Sequence, residues 1–124
     1  MMRWGRAILG GLLAEAMLIV VVAPGGIMGN EAVVTWSAVI GAPIVTFLAA
    51  LWVCRGVESK LVLHGTLAGL AAMLIYLLPV LAGGVAQPPV YWVAHGLKVA
   101  GGAAGGMFAA RRMATAAGVA RAGA

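Results

Sequence analysis

Residues 10–24 read GGLLAEAMLIVVVAP, and every one of them except Glu15 suits a hydrocarbon solvent. Extended outward to Gly5 and Met28, the apolar run exceeds the ~20 residues a helix needs to cross a bilayer core. Three further runs of the same kind follow, Ala32–Cys54, Leu61–Val85 and Pro89–Ala110. Short separators part them at residues 29–31, 55–60 and 86–88. Of the 124 residues, 64% are hydrophobic and 9% charged, where a soluble domain carries about 25% charged residues. Mean hydropathy is +1.08. So little polar surface excludes a water-soluble domain and points to an integral membrane protein. Backbone groups in lipid must bond within their own segment, which demands helices or a closed barrel. A barrel would show ~10-residue strands of alternating polarity. These runs are continuous and rich in Ala, Leu and Gly. The expected fold is all-α: a four-helix transmembrane bundle of two helical hairpins, filling a single domain.

The basic residues set the expected orientation. Arg3 and Arg6 flank the N-terminal side of the first span, Arg55 and Lys60 lie in the second separator, and Arg111, Arg112 and Arg121 follow the fourth span. The first and third separators contain no Lys or Arg. By the positive-inside rule both termini and the middle loop are cytoplasmic, in a bacterial inner membrane, with residues 111–124 as a cytoplasmic tail. The first span carries an acid within its apolar core, unlike a cleaved signal peptide, and is expected to remain as a helix. The net charge of +5 is thus a topology signal. Nucleic-acid binding is excluded, because no basic face with interleaved aromatics exists. Cys54 is the single cysteine, so no intrachain disulfide forms. It reads as a small apolar filler. Trp4, Trp36, Trp52 and Trp92 fall near the expected membrane surfaces, as in an aromatic belt.

A weak internal repeat is visible. Gly10 and Pro24 are 14 positions apart, as are Gly65 and Pro79, while Trp36–Arg55 and Trp92–Arg111 each span 19. A duplicated hairpin, with its axis along the membrane normal, would give this pattern; chance in a small alphabet would too. Pro24 and Pro79 are expected to end or kink their helices, with Pro24–Gly26 already entering a loop, and Pro43 to bend the second span. Small residues line several faces: Gly65, Gly69 and Ala72 with Tyr76 in the third span, Gly101 with Gly105 and Gly102 with Gly106 in the fourth. Such spacing lets backbones approach closely, either within the bundle or between two copies of the chain.

Glu15 lies about ten residues, or ~15 Å, into the first span from its basic end. Lys98 lies 13 residues before Arg111, ~20 Å from the same face. The two spans run antiparallel, so the charges share a depth near the bilayer centre. A lone charge there costs about 2.5–3.5 kcal/mol on insertion scales. Glu15 and Lys98 are therefore expected to pair inside the bundle. On the fourth span Tyr91, His95, Lys98, Gly102 and Gly105 fall within a stripe of about 80° that should point inward. Gly11, one turn before Glu15, would leave space for the lysine or for water. His95 extends the polar cluster, giving Glu15, Lys98 and His95 as the candidate binding residues. His64 is expected near Glu58 and Arg55. At ~15 Å apart along the membrane normal, His64 and His95 cannot share a metal ion, so no metal and no cofactor is expected.

Catalysis is not expected either. No HExxH, GxSxG or phosphate loop is present, and the only serines, Ser37 and Ser59, lack a base and an orienting group.

The run Gly10-Gly11-Leu12-Leu13-Ala14-Glu15 resembles the first helix of the small multidrug resistance family, whose members are four-helix proteins of about this length. The resemblance implies proton-coupled transport, with Glu15 binding protons and cationic substrates in turn. It covers about six residues. The third span departs from that family in lacking a tryptophan, and Lys98 adds a cation where cations are meant to bind. Two function classes follow. The first is a small non-enzymatic membrane protein, an accessory or assembly subunit of a larger complex, with a buried Glu15–Lys98 site. The second is a small proton-coupled transporter using Glu15. The expected partners are the lipid bilayer and either a larger complex or a second copy, joined through Gly65, Gly69, Gly101 and Gly105.

Overall fold

A turn built on Gly29 (φ +64°) joins the first two helices, and Asn30 then caps the second by accepting the Val33 N–H at 3.2 Å. Glu31 follows in the first turn, where the helix dipole favours an acid. The computed structural model describes residues 2–124 and contains four helices: α1 (Trp4–Ile27), α2 (Glu31–Cys54), α3 (Leu61–Ala82) and α4 (Pro89–Ala122). Helices α1, α2 and α3 are long and apolar enough to cross a membrane. α4 does not reach that apolarity. Its sequence is diluted by glycine, by His95 and Lys98, and by the arginines of its second half.

Helix limits follow the apolar runs with three differences. α3 ends at Ala82, short of Val85, because Gly83 and Gly84 break it, with Gly84 at φ +69°. α1 runs through Pro24 and Gly25 to Ile27, so the expected loop at Pro24–Gly26 is helical. Gly25 is buried there, and a Cβ on it would meet the Val34 backbone at 2.8 Å. The missing side chain lets the end of α1 press against the start of α2. Finally, α4 continues through the expected tail as far as Ala122. Alanine and arginine favour helix strongly enough to sustain it without packing, and residues 111–124 are all exposed.

The packing inverts the pattern of a water-soluble protein. The buried apolar residues are mostly alanines, among them Ala14, Ala42, Ala50 and Ala72, while Ile8, Ile19, Val20, Ile40 and Leu78 are exposed. In lipid, large side chains gain nothing by leaving the surface, and close backbone approach supplies the association. α4 carries two glycine rows for this purpose. Gly101 and Gly105 face Pro43, Thr46, Phe47 and Ala50 of α2, while Gly102 and Gly106 face Gly65, Gly69 and Leu61–Val62 of α3. A Cβ on Gly105 would stand 2.7 Å from the Phe47 carbonyl oxygen, and one on Gly106 would stand 2.7 Å from the Val62 Cα. Thus Gly65, Gly69, Gly101 and Gly105 are all buried between helices of the same chain.

The end of the bundle bearing Arg3, Arg6, Arg55, Lys60 and Arg111 is tied further. Arg6 donates to the Trp52 carbonyl at 2.8 Å and lies over the Trp52 ring. Cys54 Sγ donates to the Leu61 carbonyl at 3.3 Å, closing α2 onto α3. Helices α2 and α3 touch each other, and both touch α1 and α4, but α1 and α4 make no close backbone approach. The four helices therefore form a rhombus in section, with α1 and α4 at the distant corners.

Candidate functional site

An ion pair crosses the gap between those distant corners. Lys98 Nζ donates to Glu15 Oε1 at 2.6 Å. The lysine is 2% exposed, and the glutamate side chain 12%. α4 supplies the lysine because Gly101, Gly102 and Gly105 bring that stretch of helix against α2 and α3, fixing which side faces inward. α1 supplies the glutamate one turn after Gly11. The space at Gly11 is filled by the α3 backbone, since a Cβ there would meet Ala72 N at 2.8 Å. It is thus not the room for lysine or water that the sequence suggests. A second attraction holds the ammonium, whose nitrogen lies 4.9 Å from the centre of the Tyr76 ring.

His95 is one turn from Lys98 and only 3% exposed. Its ring lies 5.1 Å from that of Tyr76 and 5.9 Å, edge-on at 81°, from that of Trp92. Neither ring nitrogen has a hydrogen-bond partner among the described residues. His64 gives the contrast. It is fully buried, its Nδ1 lies 2.8 Å from the Lys60 carbonyl, and its Nε2 accepts the Arg3 N–H at 3.2 Å. These contacts assign the proton to Nδ1. They also place His64 beside Arg3 and Lys60, at the end of the loop that carries Arg55 and Glu58. A buried imidazole with both nitrogens satisfied is a structural pin. One with neither satisfied carries a standing desolvation cost, which a ligand or water can relieve.

A cavity of about 250 Å³ opens beside the pair. Glu15, His95 and Lys98 line it together with Tyr76, Tyr91 and the apolar side chains Leu18, Ile19, Val22, Val34, Ala38 and Ala94. Glu15 and Lys98 lie at its inner limit, toward the basic end. Val34 and Tyr91 close its outer limit, and they also line a larger recess of about 530 Å³ at the other end of the bundle. Asn30, Glu31, Thr35 and Pro88 are among the walls of that recess. The cavity therefore extends from the polar pair toward the end opposite the arginines. Toward the basic end α3 packs closely on α4, with Gly65 against Gly102 and Gly106 and Gly69 against Lys98 and Val99.

All three sequence candidates, Glu15, Lys98 and His95, line this one cavity. Tyr76 and Tyr91 are the residues that sequence reasoning did not assign to it. Both were marked by position, Tyr91 on the inward stripe of α4 and Tyr76 on the small-residue face of α3. Among the described residues no group of three or more His, Cys, Asp and Glu side chains is placed to hold a metal ion. Chemically, the paired charges cancel. What remains free is the lysine's other N–H donors, the second carboxylate oxygen of Glu15, the donor and acceptor of the imidazole, and the hydroxyls of Tyr76 and Tyr91. Compared with family models, characterised proteins and solved structures, the chain matches none.

Proposed function

We propose that this chain is a small non-enzymatic protein of a bacterial inner membrane, with four spans and both termini in the cytoplasm. In this reading it serves as an accessory or assembly subunit of a larger membrane complex. α4 supports its own place as the fourth span by the way its residues divide. His95 and Lys98 turn inward, while Trp92, Val93, Met107 and Phe108 are exposed and apolar. Its low hydropathy thus comes partly from polar residues that it hides and partly from the exposed arginines beyond Ala110. The arginines gathered at one end support the orientation.

The observation that carries the functional reading is the one-sided cavity. Glu15 and Lys98 are the lining residues nearest the basic end, and the rest of the lining lies toward the opposite end. A cavity confined to one half of the bundle favours a protein that holds or senses something within the membrane over one that passes it through. The test is a mild-detergent pull-down of the tagged chain from native membranes. Recovery of a larger membrane assembly supports the reading. A chain recovered alone that also confers a proton-coupled uptake or efflux would overturn it.

One observation favours the transporter reading suggested by the first-helix resemblance. Glu15 is on the wall of a cavity that Tyr76 and Tyr91 also line. In that case Glu15→Gln removes transport or drug resistance while leaving the protein in the membrane. A self-associated form would need a surface other than Gly65, Gly69, Gly101 and Gly105, which are occupied within the chain.

A further inference from the structure

We propose that the inner cavity binds the head of a neutral, lipid-soluble carbonyl compound, for which a quinone ring is the best-fitting chemistry. The charge balance is the first reason. Glu15 and Lys98 are within hydrogen-bond distance and cancel, so a charged head would enter a nearly apolar space with no net counter-charge, at a large desolvation cost. The donors are the second. Lys98 Nζ donates one N–H to Glu15 and has others to spare, and His95 is buried with both nitrogens unpartnered. A carbonyl oxygen accepts from either group without taking up charge. The third is the shape of the walls. Tyr76, Tyr91 and His95 present aromatic rings among aliphatic side chains, surroundings that suit a flat ring. The fourth is access. Ile19 lines the cavity and is 65% exposed, so the wall of the cavity at α1 is one side chain thick there and borders the outer face of the bundle. An apolar tail can leave by that side. The volume of about 250 Å³ corresponds to about eight waters at ~30 Å³ each, room for one substituted ring and too little for a phospholipid head with its glycerol.

This inference rests on the membrane reading above, and it concerns binding alone. The test uses the full chain in detergent micelles, labelled with ¹⁵N at its two histidines and titrated with a benzoquinone carrying a single isoprenoid unit. The His95 ring signals are expected to shift saturably. Those of His64, already held by Arg3 and Lys60, should stay in place and serve as the internal control. His95→Phe keeps the ring contacts with Tyr76 and Trp92 but removes both nitrogens. It should weaken quinone binding about tenfold, the size of one lost hydrogen bond. Decanoate and decyltrimethylammonium, anionic and cationic heads on a similar tail, should not displace the quinone. Unmoved His95 signals, equal affinity in a folded His95→Phe, or displacement by either charged amphiphile overturns the assignment. If His95→Phe does not fold, the wild-type titration and the competition decide. A failed titration in a chain whose cytoplasmic termini have been established removes the ligand and leaves the membrane reading intact.

Discussion

Removing Glu15 should hurt more than removing Lys98, and removing both should hurt least. Breaking a buried ion pair by deleting one partner costs about 3–5 kcal/mol, because the other charge is left without compensation. The two partners are not equally buried. Lys98 is 2% exposed, whereas the Glu15 side chain is 12% exposed and lines the cavity. Glu15→Leu therefore strands the more deeply buried charge and is expected to cost about 3–5 kcal/mol. Lys98→Met strands the less deeply buried one and should fall at or below the lower end, about 3 kcal/mol. The double variant replaces a buried pair with apolar groups of similar volume, which is often neutral or stabilising. The coupling energy should then exceed ~2 kcal/mol, well above the ~0.6 kcal/mol average for hydrogen bonds between membrane helices. Reversible unfolding in mixed micelles, followed by circular dichroism, gives all four corners of the cycle. Additive single effects, or a coupling no greater than that hydrogen-bond average, would refute the idea that this pair pins α1 to α4. The exchanged pair Glu15→Lys with Lys98→Glu should recover part of the loss in the same assay.

The packing makes its own predictions. Gly105→Val should destabilise the bundle by about 1–3 kcal/mol or more in the same unfolding assay, since its branched side chain would overlap the Phe47 backbone and Ala50. Gly96→Ala, where a Cβ meets nothing, should be neutral or slightly stabilising. Asn30→Ala removes the α2 cap and should cost about 1 kcal/mol, read as a lower unfolding midpoint. Ending the chain after Met113 deletes only exposed residues and should leave that midpoint unchanged. A reporter fused after Ala124 should read as cytoplasmic, and an external signal there would reverse the topology.

Much of the fold was legible because lipid imposes simple rules. Apolar runs of sufficient length gave α1 and α2 almost to the residue, and the depth of Glu15 and Lys98 along antiparallel helices put the two charges within reach of each other. The rhombic arrangement was not legible. Gly101 with Gly105 and Gly102 with Gly106 look alike as spacings, and only coordinates assign one row to α2 and the other to α3. Consequently the sequence could not say that α1 and α4 stand apart, or that a cavity fills the gap between them. Gly11 was misjudged for the same reason: a small residue makes room, but its neighbour decides for what. The helical extension beyond Ala110 was missed because hydropathy ends at Arg111 while helix propensity does not. His64 was placed at the right end of the bundle, but its hydrogen-bond partners were not legible, since they are a backbone N–H and a backbone carbonyl, which leave no trace in side-chain spacing.

The most direct test is a distance. Solid-state NMR on the reconstituted chain, with ¹³C in the Glu15 carboxylate and ¹⁵N at Lys98 Nζ, should show strong dipolar coupling, as a nitrogen–oxygen contact of 2.6 Å requires. Absence of that coupling in a folded chain would mean that the two charges do not meet, and the pinned diagonal with its cavity would have to be abandoned.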